Sequence, residues 1–382
     1  MKRRCILMRS ALVALLFISL VNFLLWSNIT LAAEVKSGWS SLGSGVSGGS
    51  VPITREEVLD GSIDALAIGP DGMLYASGSF SKAGGVKANN IAKWNGSSWS
   101  ALGNGLDGPA NALVVAPNGT LYAANLLDGA ISKWNGSRWS ALPKVGLSQV
   151  LALAVAKDGT LYAAGEPNQN SLARNKSNVR CVWKWNGTGW APLGSGMAHS
   201  GHGLITKVFA LAVAPDGGLY AGGSFTRAGN VMTSGIAKWN GSAWSALGGG
   251  IDARGSVRAL TVASDGTLYA GGDFKLAGGV RANGIAKWNG YSWSALGPGL
   301  GANAGVYGLA VTPKGVVYAG GFMQKHFITK WNGAKWTAMG SGVDYNVNAI
   351  VLGLDGTLYV GGWFEKAGGR KVKYIAQWKE SK

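Results

Sequence analysis

Cysteine, histidine and acidic side chains are all scarce in this chain. Of 382 residues two are cysteine, Cys5 and Cys181, and three are histidine. Cys5 lies in an N-terminal segment that reads as a targeting signal, which leaves Cys181 alone and excludes an intrachain disulfide; burial is its expected state. His199 and His202, in "AHSGHGL", lack the helix and the glutamate of a zinc protease, and His326 stands apart, so neither a metal nor a cofactor is expected. Charged residues make up 14% of the chain, 35 basic against 18 acidic. No strand–glycine loop–helix unit for phosphate occurs, and after residue 32 no stretch has the period of a long amphipathic helix. What the chain has in quantity is glycine, 62 residues, and tryptophan, 17.

The tryptophans are ordered. A Trp-x4-Trp pair occurs at Trp94/Trp99, Trp134/Trp139, Trp185/Trp190, Trp239/Trp244, Trp288/Trp293 and Trp331/Trp336, and half-pairs stand at Trp39 and Trp378. The spacing, about 40–54 residues, is in the range of propeller repeats. Each unit also carries a run such as "FALAVA", then a turn and strand such as "PDGGLYAGGSF". Asp-Gly and Asn-Gly steps are hairpin turns because their residues take positive φ cheaply. Short runs rich in Leu, Val, Tyr and Ala between glycines read as strands. Each unit therefore holds four strands, a ("ALAV"), b ("LYAGG"), c ("IAKW") and d ("WSALG"), with the two Trp of a pair opposed across strands c and d.

The N-terminal "WSSLG" is a strand d without its unit, and the C-terminal unit lacks one. Pairing Trp39 with Trp378 completes a seventh unit and leaves no sheet edge open. The expected fold is all-β, a seven-bladed β-propeller of residues 33–382 with four antiparallel strands per blade. The tryptophans then serve as packing between blades, each burying roughly 150–250 Å². "LYAGGSF…IAKWNGSAWSALG" resembles the kelch repeat of the galactose-oxidase/kelch-type propellers, in their exported bacterial form, across about residues 39–378. It has the di-glycine ending the second strand, an aromatic in the third and a Trp opening the fourth. It departs from kelch repeats in the shorter spacing between the two aromatics. The copper ligands of galactose oxidase have no counterpart here, so the resemblance implies the fold without that activity.

Residues 1–32 have a basic start (Lys2, Arg3, Arg4, Arg9), an apolar stretch from Ala11 to Trp26, and small residues near Ala32. This is the pattern of a signal peptide; the alternative is an uncleaved anchor, since the stretch is near the length that spans a bilayer. Either places the protein outside the cytoplasm, secreted or at the cell surface. Removing four basic and no acidic residue lowers the formal charge from +17 to +13. A basic balance favours anionic glycans or wall polymers, or a protein partner, and equally serves solubility. No specific nucleic-acid motif is present, and a monomer is expected. The sequons at Asn95, Asn118, Asn135, Asn186 and Asn240 coincide with Asn-Gly turns, so they follow from turn geometry.

Framework positions must repeat, whereas a site built once need not. The a–b and c–d turns are short and uniform; the b–c and d–a connections are long and varied, which marks their face as the binding face. Its basic residues include Lys82, Lys87, Arg174, Lys176, Arg227, Lys275, Arg281, Lys325, Lys366, Arg370 and Lys371. The residue opening strand a also varies, from Asp64, Asn111, Leu151, Phe209, Arg258 and Tyr307 to Asn348, while the next two positions stay small and then aliphatic. Asp64, Asn111, Phe209, Arg258, Tyr307 and Asn348 are therefore candidates to ring the channel mouth and hold a sugar or small polar ligand. The expected function is non-enzymatic binding of a polyanion, glycan or protein. The alternatives are a carbohydrate-active enzyme at the channel mouth and a structural surface protein.

Overall fold

The Asn of each "WNG" step organises the c–d turn from its own side chain. Asn95 Oδ1 accepts the amide N–H groups of Ser97 and Ser98, and Asn135, Asn186, Asn240, Asn289 and Asn332 repeat the pattern. The Asp of the a–b turn does the same two residues on, as in Asp265 to Thr267. These local bonds set the two tryptophans of six pairs opposite each other in register, and Trp39 meets Trp378 in the same way without such a turn; the rings are tilted or edge-on, with centroids 5.3–5.4 Å apart.

A computed structural model describes residues 37–52, 58–126, 128–168, 179–199, 206–252, 254–323 and 327–381. The segment 1–32, Arg174, Lys176, His202, Lys325 and His326 lie outside them. One large unit, Gly38–Lys379, is distinct from a small one made of Met1–Ser37 and Glu380–Lys382; the architecture below is that of the large unit. The described residues are all-β, without helix, and include seven four-stranded antiparallel sheets. The fifth is representative: Val257–Val262, Leu268–Gly272, Ile285–Trp288 and Trp293–Ala295 pair in sequence order. The last sheet takes three strands from Val347–Leu352, Leu358–Gly362 and Ile375–Lys379, and its fourth from Gly38–Ser41, with Trp39 opposite Trp378.

Strand a of each sheet packs on strand a of the next, and Val347–Leu352 packs on Ala65–Ile68 of the first sheet. At the outer edge the indole N–H of each strand-d Trp reaches back to a carbonyl of the preceding sheet. Trp99 donates to Leu42, Trp139 to Leu102, Trp190 to Pro143 and Trp244 to Leu193; Trp293 donates to Leu247, Trp336 to Leu296 and Trp39 to Met339. The core lies between sheets, where Leu42, Ile63, Leu74, Trp94, Trp99 and Tyr374 are buried together at the junction of the last sheet with the first. The pairs are not uniformly buried: Trp185 and Trp190 of the third sheet are half-exposed.

The di-glycine ending strand b has two separate causes. A Cβ on Gly271 would lie 2.6 Å from Val306 of the next sheet, so the first glycine seats the neighbouring sheet. A Cβ on Gly272 would lie 1.9 Å from the carbonyl oxygen of Ser256. That carbonyl precedes a register shift in strand a between Val257 and Ala259, a β-bulge whose extra residue is Arg258. The second, third, fourth, sixth and seventh sheets have the same shift. The bulged residues are Asn111, Leu151, Phe209, Tyr307 and Asn348.

Candidate functional site

A bulge takes one residue out of the ladder and re-aims its side chain. This is why the one non-repeating position of strand a escapes the packing that fixes its neighbours. Asp64, Asn111, Tyr307 and Asn348 line a recess of 210 Å³ where the seven a strands converge, with Ala65, Ala112, Ala152, Ala210, Ala259 and Ala349 below them. Leu151, Phe209 and Arg258 do not line it. The mouth thus divides into a polar arc and an aromatic–cationic arc.

In the polar arc Asn348 Nδ2 donates to Asp64 Oδ1 at 3.3 Å and to the Ile63 carbonyl at 3.1 Å, across the junction of the last sheet with the first. Asn346 donates to Asn348 Oδ1 at 3.0 Å, and the Ser62 hydroxyl donates to Asp64 Oδ2 at 3.2 Å. Burial pushes the Asp64 carboxyl up to about 6, and the donors Ser62, Trp363 and Asn348 pull the other way. The Trp363 indole N–H faces that carboxyl at a geometry short of a hydrogen bond. In the other arc the Arg258 guanidinium lies over Phe209 at 4.8 Å and Tyr307 at 5.6 Å from the ring centroids. It donates twice to Asp273 Oδ2, at 3.1 Å each, and Asp273 Oδ1 accepts the Ser256 amide. Arg258 is therefore committed within the chain and does not project freely into the recess.

The basic residues occupy another part of the face. In four sheets strand b runs into a two-stranded hairpin: Lys82–Ala83 with Val86–Lys87, Arg227–Ala228 with Val231–Met232, Leu276–Ala277 with Val280–Arg281, and Lys366–Ala367 with Arg370–Lys371. Each hairpin pairs with the preceding d–a connection, at Val46–Ser47, Met197–Ala198, Ile251 and Val343, and packs on the outermost strand of its own sheet. The sequence reading of these connections as simply varied is corrected here, because four of the seven share one framework. Lys82, Lys87, Arg227, Lys275, Arg281, Lys366, Arg370 and Lys371 are exposed on that outer rim, away from the channel mouth.

Among the described residues the ion pairs are Lys207–Glu166, Lys238–Asp216 and Arg258–Asp273, none on a hairpin. Lys82 faces Lys87 and Lys366 faces Lys371 across their ladders, an unfavourable like-charge arrangement. The second sheet lacks the hairpin, and a 670 Å³ groove opens there beside Trp134, Trp139 and Arg138. Cys181 is buried, and burial pushes its thiol up, as expected for a structural residue.

Sequence reasoning missed Trp363, Tyr345, Asn346, Ser62 and Asp273. One signal was available: the residue after the last glycine of strand b reads Ser79, Glu166, Ser224, Asp273, Phe322 and Trp363, and it too fails to repeat.

The chain matches no described protein family and no curated protein by sequence. By structure it is similar to the extracellular domain of BT4673 from B. thetaiotaomicron, described both as a one-component and as a hybrid two-component system. TM-scores are 0.56 and 0.57 at 10% identity, over 90% and 89% of this chain but only 40% and 39% of that domain. The chain thus spans about two fifths of those neighbours. It is also similar to a catalytically inactive virginiamycin B lyase from Staphylococcus aureus solved with quinupristin, at TM-score 0.56 and 10% identity, over 86% of this chain and 98% of that one. These are propeller-like folds, and the chain shares that fold.

Proposed function

We propose that this chain is an exported, kelch-like, seven-bladed β-propeller, closed by its N-terminal strand, that binds a ligand or partner without turning it over. The binding face is the one carrying the b–c and d–a connections. The seven four-stranded sheets, the a strands packed in succession and the Trp39–Trp378 pairing support the ring. The extracellular domains among its structural neighbours and the character of residues 1–32, as signal peptide or anchor, support export.

The observation that carries the functional reading is the set of non-repeating side chains Asp64, Asn111, Tyr307 and Asn348 at the recess, on the same face as eight exposed cations without acidic partners among the described residues. A rigid scaffold that varies at one mouth and sets an exposed basic rim on the same face is built to present those positions. Anionic glycans or wall polymers fit the rim, and a protein partner fits the face as a whole. The test is retention of the chain from residue 33 on immobilised heparin as an anionic probe. Retention is expected to weaken between about 0.15 M and about 1 M NaCl, as the Debye length falls from about 8 to about 3 Å. It is expected to fall further in the triple variant Lys82→Gln, Lys366→Gln, Lys371→Gln. Retention indifferent to both changes removes the rim from the account.

One observation favours a carbohydrate-active enzyme at the same mouth, the Asp64 carboxyl held at about 6, where an acid donates protons near neutral pH. Asp273, the acid of the other arc, is locked to Arg258. Binding without turnover is therefore the stronger reading.

A further inference from the structure

The polar arc adjoins a strip of aromatic rings that the repeat does not require. Phe322 and Trp363 hold equivalent positions after the last glycine of strand b in the sixth and seventh sheets. Tyr345, from the connection between those sheets, lies nearly parallel to Trp363, at 6.4 Å and 13°. It also lies 6.0 Å from Phe327, which is 6.4 Å from Phe322. Phe322 is 58% exposed and Tyr345 36%. A contiguous exposed aromatic patch on a protein surface marks an interaction site.

Beside this strip, buried polar atoms lack partners. Asn346 Oδ1 and, on the other side of the first sheet, Asn111 Oδ1 accept no hydrogen bond. Buried polar groups are normally satisfied, so two orphaned acceptors around one mouth call for an explanation.

The chemistry of these atoms selects among ligands. Phosphate, sulfate and carboxylate groups only accept, so they leave both amide oxygens unpaired and meet the Asp64 carboxyl as a like charge. An apolar peptide side chain covers the rings and satisfies neither oxygen. A pyranose offers a C–H face for aromatic rings and a rim of hydroxyls, each both donor and acceptor. We propose that Tyr345 and Phe322 form the stacking platform of a glycan-binding subsite. Asn346, joined by Asn111 on the far side of the recess, reads the hydroxyls of a neutral sugar. This rests on the reading of the b–c/d–a face as the binding face and names the ligand class of its mouth.

The experiment is isothermal titration of the chain from residue 33 with neutral oligosaccharides: glucan, mannan, galactan and N-acetylglucosamine oligomers. Each titration is repeated at about 0.15 M and about 1 M NaCl, conditions that separate screened from unscreened contacts. At least one series is expected to bind with little salt dependence. Affinity is expected to fall about tenfold or more, some 1.4 kcal/mol, in Tyr345→Ala and in Phe322→Ala, and to return in Tyr345→Phe. Circular dichroism and melting of each variant check that it is folded.

No binding by any series, or equal affinity in Tyr345→Ala and Phe322→Ala, overturns the subsite. Salt-sensitive heparin retention in a chain that ignores the oligosaccharides leaves the face standing and removes the subsite. Platform-dependent sugar binding in a chain that ignores heparin establishes the subsite and removes the rim. A chain that ignores both loses both.

Discussion

Asp64 shows what a single side chain at this mouth costs the fold. Its carboxyl is desolvated by the sheets around it, and three donors only partly compensate. The folded-state value, about 6, lies above the ordinary carboxylate value of 3.8, so the folded chain holds this proton longer than the unfolded chain does. The penalty is absent below the unfolded value and complete above the folded one. Folding stability therefore loses up to about 3 kcal/mol through this group as pH rises from 4 to 7. Asp64→Asn is expected to remove that loss: the stability difference between variant and parent should grow by up to about 3 kcal/mol between those pH values. Chemical denaturation at both ends checks it. Parallel profiles for the two chains contradict the burial assigned to Asp64.

At the scale of the strand, the bulge and the glycine facing it are one device. The Ser256 carbonyl occupies the space a Cβ would take on Gly272, and the displaced strand turns Arg258 toward Phe209 and Tyr307. Gly272→Ala must push this carbonyl away, an overpacking cost of about 1–3 kcal/mol. The local rearrangement is expected to reduce protection of the Arg258 and Asp273 amides in hydrogen exchange, with the sheets two places away unchanged. An alanine variant as stable as its parent would show that the bulge has other room.

The elements also show where sequence reasoning reaches its limit. The Trp pairs, the Asx turns and the four-strand unit were legible because each depends on neighbours a few residues away and recurs along the chain. The varying position of strand a was legible as an anomaly, but the bulge that produces it was not, because a register shift is a property of two strands. The rim hairpins were read as loops on the same face as the mouth. Only the packing of Lys82–Lys87 and its equivalents on strand d separates them from it. Trp363 was overlooked because it is a tryptophan outside the pairs, and its meaning comes from Tyr345 and Asp64, distant in sequence.

For the whole molecule, site and closure are one question. The hydrogen bond from Asn348 to Asp64 joins residues 284 apart in sequence, and the indole of Trp99 depends on the carbonyl of Leu42. The polar arc exists only where the last sheet meets the first, and that last sheet is completed by Gly38–Ser41. A frayed N-terminal strand would expose the edge of Ile375–Lys379 and loosen the junction that holds Asp64 in place. Native-state hydrogen exchange followed by mass spectrometry measures this on the full chain. Peptides covering residues 38–42 are predicted to exchange as slowly as those covering 375–379 and the interior strands of the other sheets. Exchange of 38–42 at the rate of a free terminus would contradict the ring, and with it the mouth on which the proposed binding depends.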